Sequence, residues 1–335
     1  MITIIKSLFD KYFIRLTFLW AYLIINTTSL TGQNSILNDT EGISENVSNI
    51  YAYTPSKLLK KGQVEIQLFN NLYTQTSYRD ENREKIEQDT RDTYYSALFY
   101  ALFGVSKSAR INVGFDLNLK SVFSDTTKGN PLKVLRFDKT PNSRTALTSI
   151  GPKIKFQPIK NISNFSIQSA FWIPVAEDLE SIEELDDYPW IDYHMFAWWT
   201  QFFYDKTFGT HWQLFAETDL LFRFKSKKGN TPTHVDIPVS LFVSWFPGRK
   251  MTIYYQLQYS PRFQLEKSFQ DGGDGDEQVP AVEPFDLISD FAHTGFGIKY
   301  QLTGNLNLEA STTYFFTSMN GGAGSTYNLG VRFIL

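Results

Sequence analysis

Period-two alternation of apolar and polar residues runs through this chain from about Gly62 to its last residue, and it leaves few folds open. Over residues 327–335, Tyr327, Leu329, Val331, Phe333 and Leu335 point one way, and Asn328, Gly330, Arg332 and Ile334 the other. A water-soluble sheet that finished on such a strand would present a sticky edge. In a closed barrel the same strand has a partner on each side, and its apolar face can meet lipid.

Composition agrees with a wall that is apolar on one side only. Aromatic residues make up 16% of the 335 and hydrophobic residues 42%, yet the mean hydropathy is -0.26. A soluble sandwich or a lipocalin-like barrel is the competing fold. The net charge of -3 and the lack of a basic stripe argue against a nucleic-acid partner. There is no cysteine, which excludes disulfides, thiolate metal sites, a cysteine nucleophile and a lipid anchor on an N-terminal cysteine.

Residues 1–32 have the form of a signal peptide. Lys6, Lys11 and Arg15 supply a basic start, and residues 16–25 an uncharged apolar run too short for a comfortable membrane helix. Cleavage is placed near Gly32–Gln33, with an uncleaved anchor helix as the alternative. Residues 33–61 are polar and weakly patterned, and suit either a periplasmic arm or a plug in the barrel mouth.

The clearest strand is at 111–120, where Ile111, Val113, Phe115, Leu117 and Leu119 alternate with Asn112, Gly114, Asp116, Asn118 and Lys120. Comparable alternation begins at Val64, Ile150, Phe165, Trp212, Ile237, Ile253, Thr294 and Leu306. Residues 93–103 and 193–204 also suit strands, but both are too aromatic for their faces to be assigned. Short, turn-forming links follow every second strand, at 105–109, 158–163, 205–210, 247–250 and 303–305. Longer links fill 75–92, 121–144, 175–192, 226–234, 264–289 and 318–325. Tight periplasmic turns opposite long outer loops are the outer-membrane arrangement. Helical patterns between strands are not visible, although the charged residues 80–92 have room for one turn. The expected fold is all-β: a transmembrane antiparallel up-and-down β-barrel of about twelve strands over residues 62–335.

The paired strands from Gly62 onward and the closing strand 327–335 together resemble the bacterial outer-membrane β-barrel superfamily. Members often end on an aromatic residue that the barrel assembly machinery reads. Here Leu335 is last, and Phe333 and Tyr327 supply aromatics in register. Residues 55–62, leading into 70–75, look like uncharacterised transporter-like barrels of the Bacteroidetes group, a likeness that carries over no functional residue. The resemblance implies the outer membrane of a Gram-negative bacterium. It also implies contact with outer-membrane lipid and lipopolysaccharide, and with the assembly machinery through the C-terminal strand.

Some barrels of this size are enzymes, so the histidines matter. His194, His211, His234 and His293 all lack the His-x-Ser-Asn setting of outer-membrane acyl hydrolases. His234 and Asp236, two apart on one strand face, leave a rim hydrolase as a distant alternative, since acyl transfer needs nucleophile and base in hydrogen-bond reach. Surface histidines are the plainer reading, with no catalytic residue and no cofactor expected. Asp271, Asp274, Asp276 and Glu277 are weak cation candidates; a solvated acidic loop explains them better. A second acidic run lies at 177–187.

Charges on the lipid face are costly, so the inward set is the candidate pore lining: Glu65, Asp116, Lys120, Lys153, Lys155, Glu217, Asp219, Arg223, Lys225, Arg262, Lys299, Glu309 and Arg332. Asp236 shares their face. Arg223 and Lys225 are expected on the inner wall near the outer end of their strand. Such a set either fills a narrow interior with ion pairs or lines a selective pore. Trp172, Trp190, Trp198, Trp199, Trp245, Tyr259 and Phe333 are expected in interface girdles. The leading functional expectation is an outer-membrane channel or transporter-like barrel passing a small hydrophilic or amphiphilic solute. The alternative is a closed structural or surface-binding barrel with acidic outer loops.

Overall fold

The computed structural model describes residues 55–138, 140–177, 179–180, 189–226, 231–267 and 282–335. The expected signal peptide, most of the arm at 33–61, the loop carrying Asp271, Asp274, Asp276 and Glu277, and most of the acidic run 177–187 lie outside them. Contacts divide the chain into residues 1–48, none of them described, and residues 49–335, which hold the barrel.

Fourteen ladder segments follow in order: β1 (Val64–Arg79), β2 (Lys85–Gly104), β3 (Ile111–Asp125), β4 (Ser143–Phe156), β5 (Phe165–Pro174), β6 (Phe196–Phe208), β7 (Trp212–Phe224), β8 (His234–Asp236), β9 (Val239–Trp245), β10 (Met251–Gln264), β11 (Leu287–Gln301), β12 (Leu306–Met319), β13 (Gly321–Gly322) and β14 (Ser325–Ile334). Each pairs antiparallel with its neighbours. β8 and β9 are halves of one stave, since both pair with β7 and β10. They part at Ile237-Pro238, where proline has no N–H to give to a ladder. β13 extends β14 along β1. The result is the expected twelve staves. β14 lies between β12 and β1 and closes the circle. Val64 N donates to Leu335 O at 3.0 Å and Leu335 N to Val64 O at 2.8 Å, which stitches the seam to its end.

Hydrocarbon offers no hydrogen-bond partners, so a spanning sheet has to close. Alternation then decides what faces out. Val113, Phe115, Phe171, Leu241, Leu257, Phe296 and Leu329 are exposed on the outer wall, while Asn112, Asp116, Gln168, Ser240 and Asn328, from the opposite set, are buried. The two aromatic strands now have faces. Tyr94, Leu98 and Tyr100 of β2 and Trp199, Gln201 and Phe203 of β6 point inward, whereas Phe103 and Trp198 are exposed outside.

Two of the long links prove to be strand. β1 runs to Arg79 and β2 starts at Lys85, leaving only 80–84 as a turn and no helical turn at 80–92. β12 runs to Met319, and 320–324 is equally tight. Charge misled the reading, because these strands continue above the lipid, where polar residues suit an extended chain as well as a loop. The sorting of links into short and long is therefore not strict. Genuine long connections remain at 126–142, 175–195, 225–233 and 265–286.

The girdle expectation also needs correcting. Trp172 and Trp199 face the lumen, where their indole N–H groups donate to Asp116 at 2.9 Å and Asp219 at 3.0 Å. Trp190 packs on Tyr94 and Tyr193 in the β5–β6 connection. Trp212 and Trp245, paired across β7 and β9 at the short-turn rim with rings 6.4 Å apart, are placed as interface anchors should be.

Leu329, 62% exposed near the middle of β14, tests the wall assignment. Leu329→Arg should cost about 2–4 kcal/mol of stability if that face meets the bilayer core. Urea unfolding in lipid vesicles measures it, and an unchanged midpoint would place the residue out of the lipid.

Candidate functional site in the lumen

The inward faces build an interior whose two halves differ in chemistry. Around β2–β7 and the short-turn ends of β14 and β1 it is ionic. Lys153 and Asp116, both buried, are 2.5 Å apart, and the Lys153 ammonium lies 4.2 Å from the Tyr100 ring centre. Arg332 meets Glu65 at 2.6 Å across the β14–β1 seam, with Tyr100 donating to Glu65 at 2.8 Å. Glu217 accepts from Gln201 at 2.7 Å, and Asp219 from Trp199. Charges moved out of water need pairing and hydrogen bonds; Lys153–Asp116 and Arg332–Glu65 have both, whereas Glu217 and Asp219 accept from amide and indole donors.

Around β9–β12 and the upper parts of β14 and β1 the interior is amide, hydroxyl and ring. Its charged contact is Lys299 with Glu309, directly opposite one another and 3.6 Å apart. Tyr254 donates to the same Glu309 at 2.5 Å by laying its ring over Gly297, where a Cβ would stand 2.2 Å from that ring. A cavity of about 550 Å³ lies along this side, between Phe215, Phe242 and Tyr254 below and Tyr73, Phe291 and Phe315 above. A smaller one of about 290 Å³ lies against the ionic side, sharing Pro55, Phe69, Glu217 and Lys299 with the first.

Both ends of the lumen are narrowed. At the short-turn end the chain leading to β1 enters the interior. Pro55 lines both cavities and its carbonyl accepts from the Lys155 ammonium; Ser56, fully buried, donates to Asp205 of β6.

At the other end the β5–β6 connection crosses the bore. Leu179 and Ile191 pack on Val122 of β3, and Asp192 meets Lys120 of β3 at 2.7 Å. The next residue, Tyr193, accepts from Arg262 of β10 at 2.6 Å. Arg223 and Arg262 lie 5.0 and 5.4 Å from its ring centre, and both engage Asp236. β3 and β10 are six staves apart in a ring of twelve, so 192–193 form a strap across the diameter. Burial alone would raise the Asp192 carboxyl, but the Lys120 ammonium beside it holds it below its ordinary value.

Of the inward set named from sequence, Glu65, Asp116, Lys120, Lys153, Lys155, Glu217, Asp219, Arg223, Arg262, Lys299, Glu309 and Arg332 all face the interior. Lys225 does not: β7 ends at Phe224, and Lys225 is exposed beyond it, its backbone N–H on Thr233. The hydrolase pair does not form either. Asp236 is held by the two arginines, and His234 Nδ1 lies against the Pro232 carbonyl at 2.9 Å. His234 and His293 are buried rather than on the surface. Among the described residues no cluster of three or more His, Cys, Asp or Glu is disposed to hold a metal ion. Alternation did not mark Asp192, Tyr193 or Ser56, because each acts from a connection.

No family model matches the sequence, and no curated protein does either. Solved structures do match. The COG4313 outer membrane channel from Pseudomonas putida F1 aligns with 84% of this chain and 98% of its own, at TM-score 0.60 and 12% identity. The beta domain of the Bordetella autotransporter Brka covers 82% and 99% at TM-score 0.48 and 12% identity. The P. putida toluene transporter TodX covers 84% and 92% at TM-score 0.39 and 8% identity. The first of these likenesses is one of fold, and it accords with the closed sheet: the chain is a twelve-stave antiparallel barrel of the outer-membrane type.

Removing one partner of the buried pair should expose the cost of the other. Lys153→Met should destabilise the barrel by about 3–5 kcal/mol, and adding Asp116→Asn should restore most of it. Paired urea titrations decide this; equal losses in the single and double variants would show that the pair is not the cause.

Proposed function

We propose that the protein is an outer-membrane channel of a Gram-negative bacterium that passes a small amphiphilic solute along the ring-and-amide side of its lumen. The observation that carries this is the 550 Å³ cavity, which reaches from the low aromatic cluster to the high one inside a closed barrel. The fold likeness to an outer membrane channel supports the same reading. Small-solute sites are concave and mostly apolar with a few placed polar groups, and this cavity has that make-up.

The surroundings fit the location. Outside the wall, the short 3-10 helix Pro131–Arg136 presents exposed Leu132 and Leu135 beside Lys133 and Arg136, with exposed Phe137 after them. That mixture suits acyl chains and the phosphates of lipopolysaccharide at one level of the membrane. β14 is the segment through which the assembly machinery would engage the chain.

One observation favours the closed alternative as a resting condition. The strap at Asp192-Tyr193 and the entry of Pro55-Ser56 narrow the two ends, so the open state requires one of them to move. Purified protein in planar bilayers should show discrete, small conductance steps; a folded barrel that never conducts would favour the structural role.

The strap makes a pH prediction. Because Lys120 lowers the Asp192 carboxyl in the folded state, that contact is intact above the ordinary value of 3.8 and is lost as pH falls through the lowered one. Conductance should rise reversibly only once the pH falls below 3.8, the ordinary value of that carboxyl. Asp192→Asn should already show the raised level at pH 7. If acid changes the current equally in both proteins, the strap is not the element that moves.

A further inference from the structure

We infer that the larger cavity is a binding site for an uncharged sugar of one or two rings, an inference that rests on the channel reading and narrows its solute. Four features of the wall lead there.

The rings come in two sets. Phe215, Phe242 and Tyr254 sit three residues from the short-turn ends of β7, β9 and β10, with successive centroids 5.3 and 5.9 Å apart. Tyr73, Phe291 and Phe315 sit about nine residues up β1, β11 and β12, with Phe315 at 5.1 Å from each of the other two. The sets are therefore separated by about 20 Å of strand. Phe315 continues the inward set Asn307, Glu309, Ser311 and Thr313 of β12, Phe316 falls on the lipid side, and a bulge between Ala292 and His293 follows just above.

Between the sets the wall is amide and hydroxyl. Asn71 donates to Asn328 at 2.5 Å, Asn328 donates to Ser311 at 3.0 Å, and Thr313 and Thr326 share a contact of 2.6 Å. A carboxamide offers two donors and two acceptor lone pairs, and a hydroxyl one donor and two lone pairs, so these contacts use only part of what is present. An apolar solute would leave that capacity unfilled at a cost.

Among the described residues the cavity also lacks a free cation for an acidic ligand: Lys299 is paired with Glu309, and the remaining charged group on the wall, Glu217, is an acid that accepts from Gln201. Finally, His293 lines the cavity with 8% of its surface exposed, and its Nδ1 has no hydrogen-bond partner. A sugar hydroxyl both donates and accepts, so it satisfies that nitrogen in either tautomer. A pyranose also has apolar C–H faces for the rings and an equator of hydroxyls for the amides.

The test uses the purified full chain, folded in detergent, titrated calorimetrically with cellobiose, galacturonate and toluene. Cellobiose should bind saturably, and more tightly than the acidic sugar or the aromatic hydrocarbon. Phe315→Ala should weaken it about tenfold. His293→Phe keeps a ring in place but removes the hydrogen bond, and should weaken it about fivefold. The heat-dependent gel shift of a folded barrel verifies each variant, and Thr200→Ala on the outer wall should leave binding unchanged. Absence of saturable cellobiose binding by the folded protein overturns the assignment. So does tighter binding of toluene, or an affinity that neither lumen variant alters. Binding without conductance in bilayers would sink the channel reading and leave the site standing; conductance without binding would do the reverse.

Discussion

Hydrocarbon cannot accept a hydrogen bond from a peptide group, and the rest of this structure follows from that. An open edge inside lipid would leave a whole row of donors and acceptors without partners, so the first and last strands have to meet. They do so along β1 and β14, from Glu65–Ile334 up to Thr74–Ser325. Once the sheet is closed, the pleat leaves every second residue only one place to go. The polar half of each strand is sent inward whether or not the lumen has room for it, which is why so small a bore holds so many charges.

Those charges are handled by proximity. Lys153 and Asp116, Arg332 and Glu65, and Lys299 and Glu309 each stand on adjacent staves. The contacts that span the bore come from connections: Asp192-Tyr193 from above and Pro55-Ser56 from below. Strands provide a wall of fixed register, and the segments between them supply the contacts that cross it. The wall and the contacts across the bore thus fall to different parts of the chain.

What the sequence shows is set by the same physics. Where a strand borders lipid on one face and water on the other, the two alternating sets differ sharply, and β3, β7, β10 and β14 could be read residue by residue. In β6 the neighbours Trp198 and Trp199 are chemically identical, one facing lipid and the other donating to Asp219, and no pattern separates them. The charged stretch 75–92 failed for another reason: it is strand that has left the membrane, where alternation no longer carries a penalty. The inward charges were legible because a charge in lipid is so costly. Their partners were not, because pairing Lys120 with Asp192 or Lys155 with the Pro55 carbonyl depends on which staves the closure brings together.

The division of the lumen into an ionic side and a ring-and-amide side runs lengthwise, parallel to the barrel axis. Polarity therefore changes across the bore more than along it. On the aromatic side the ion pair Lys299–Glu309 is internally neutral and stands among rings and amides. Water and small ions are drawn to the opposite wall, where carboxylates and ammonium groups replace part of their hydration. At one depth the two walls thus offer an organic molecule and an ion quite different surroundings.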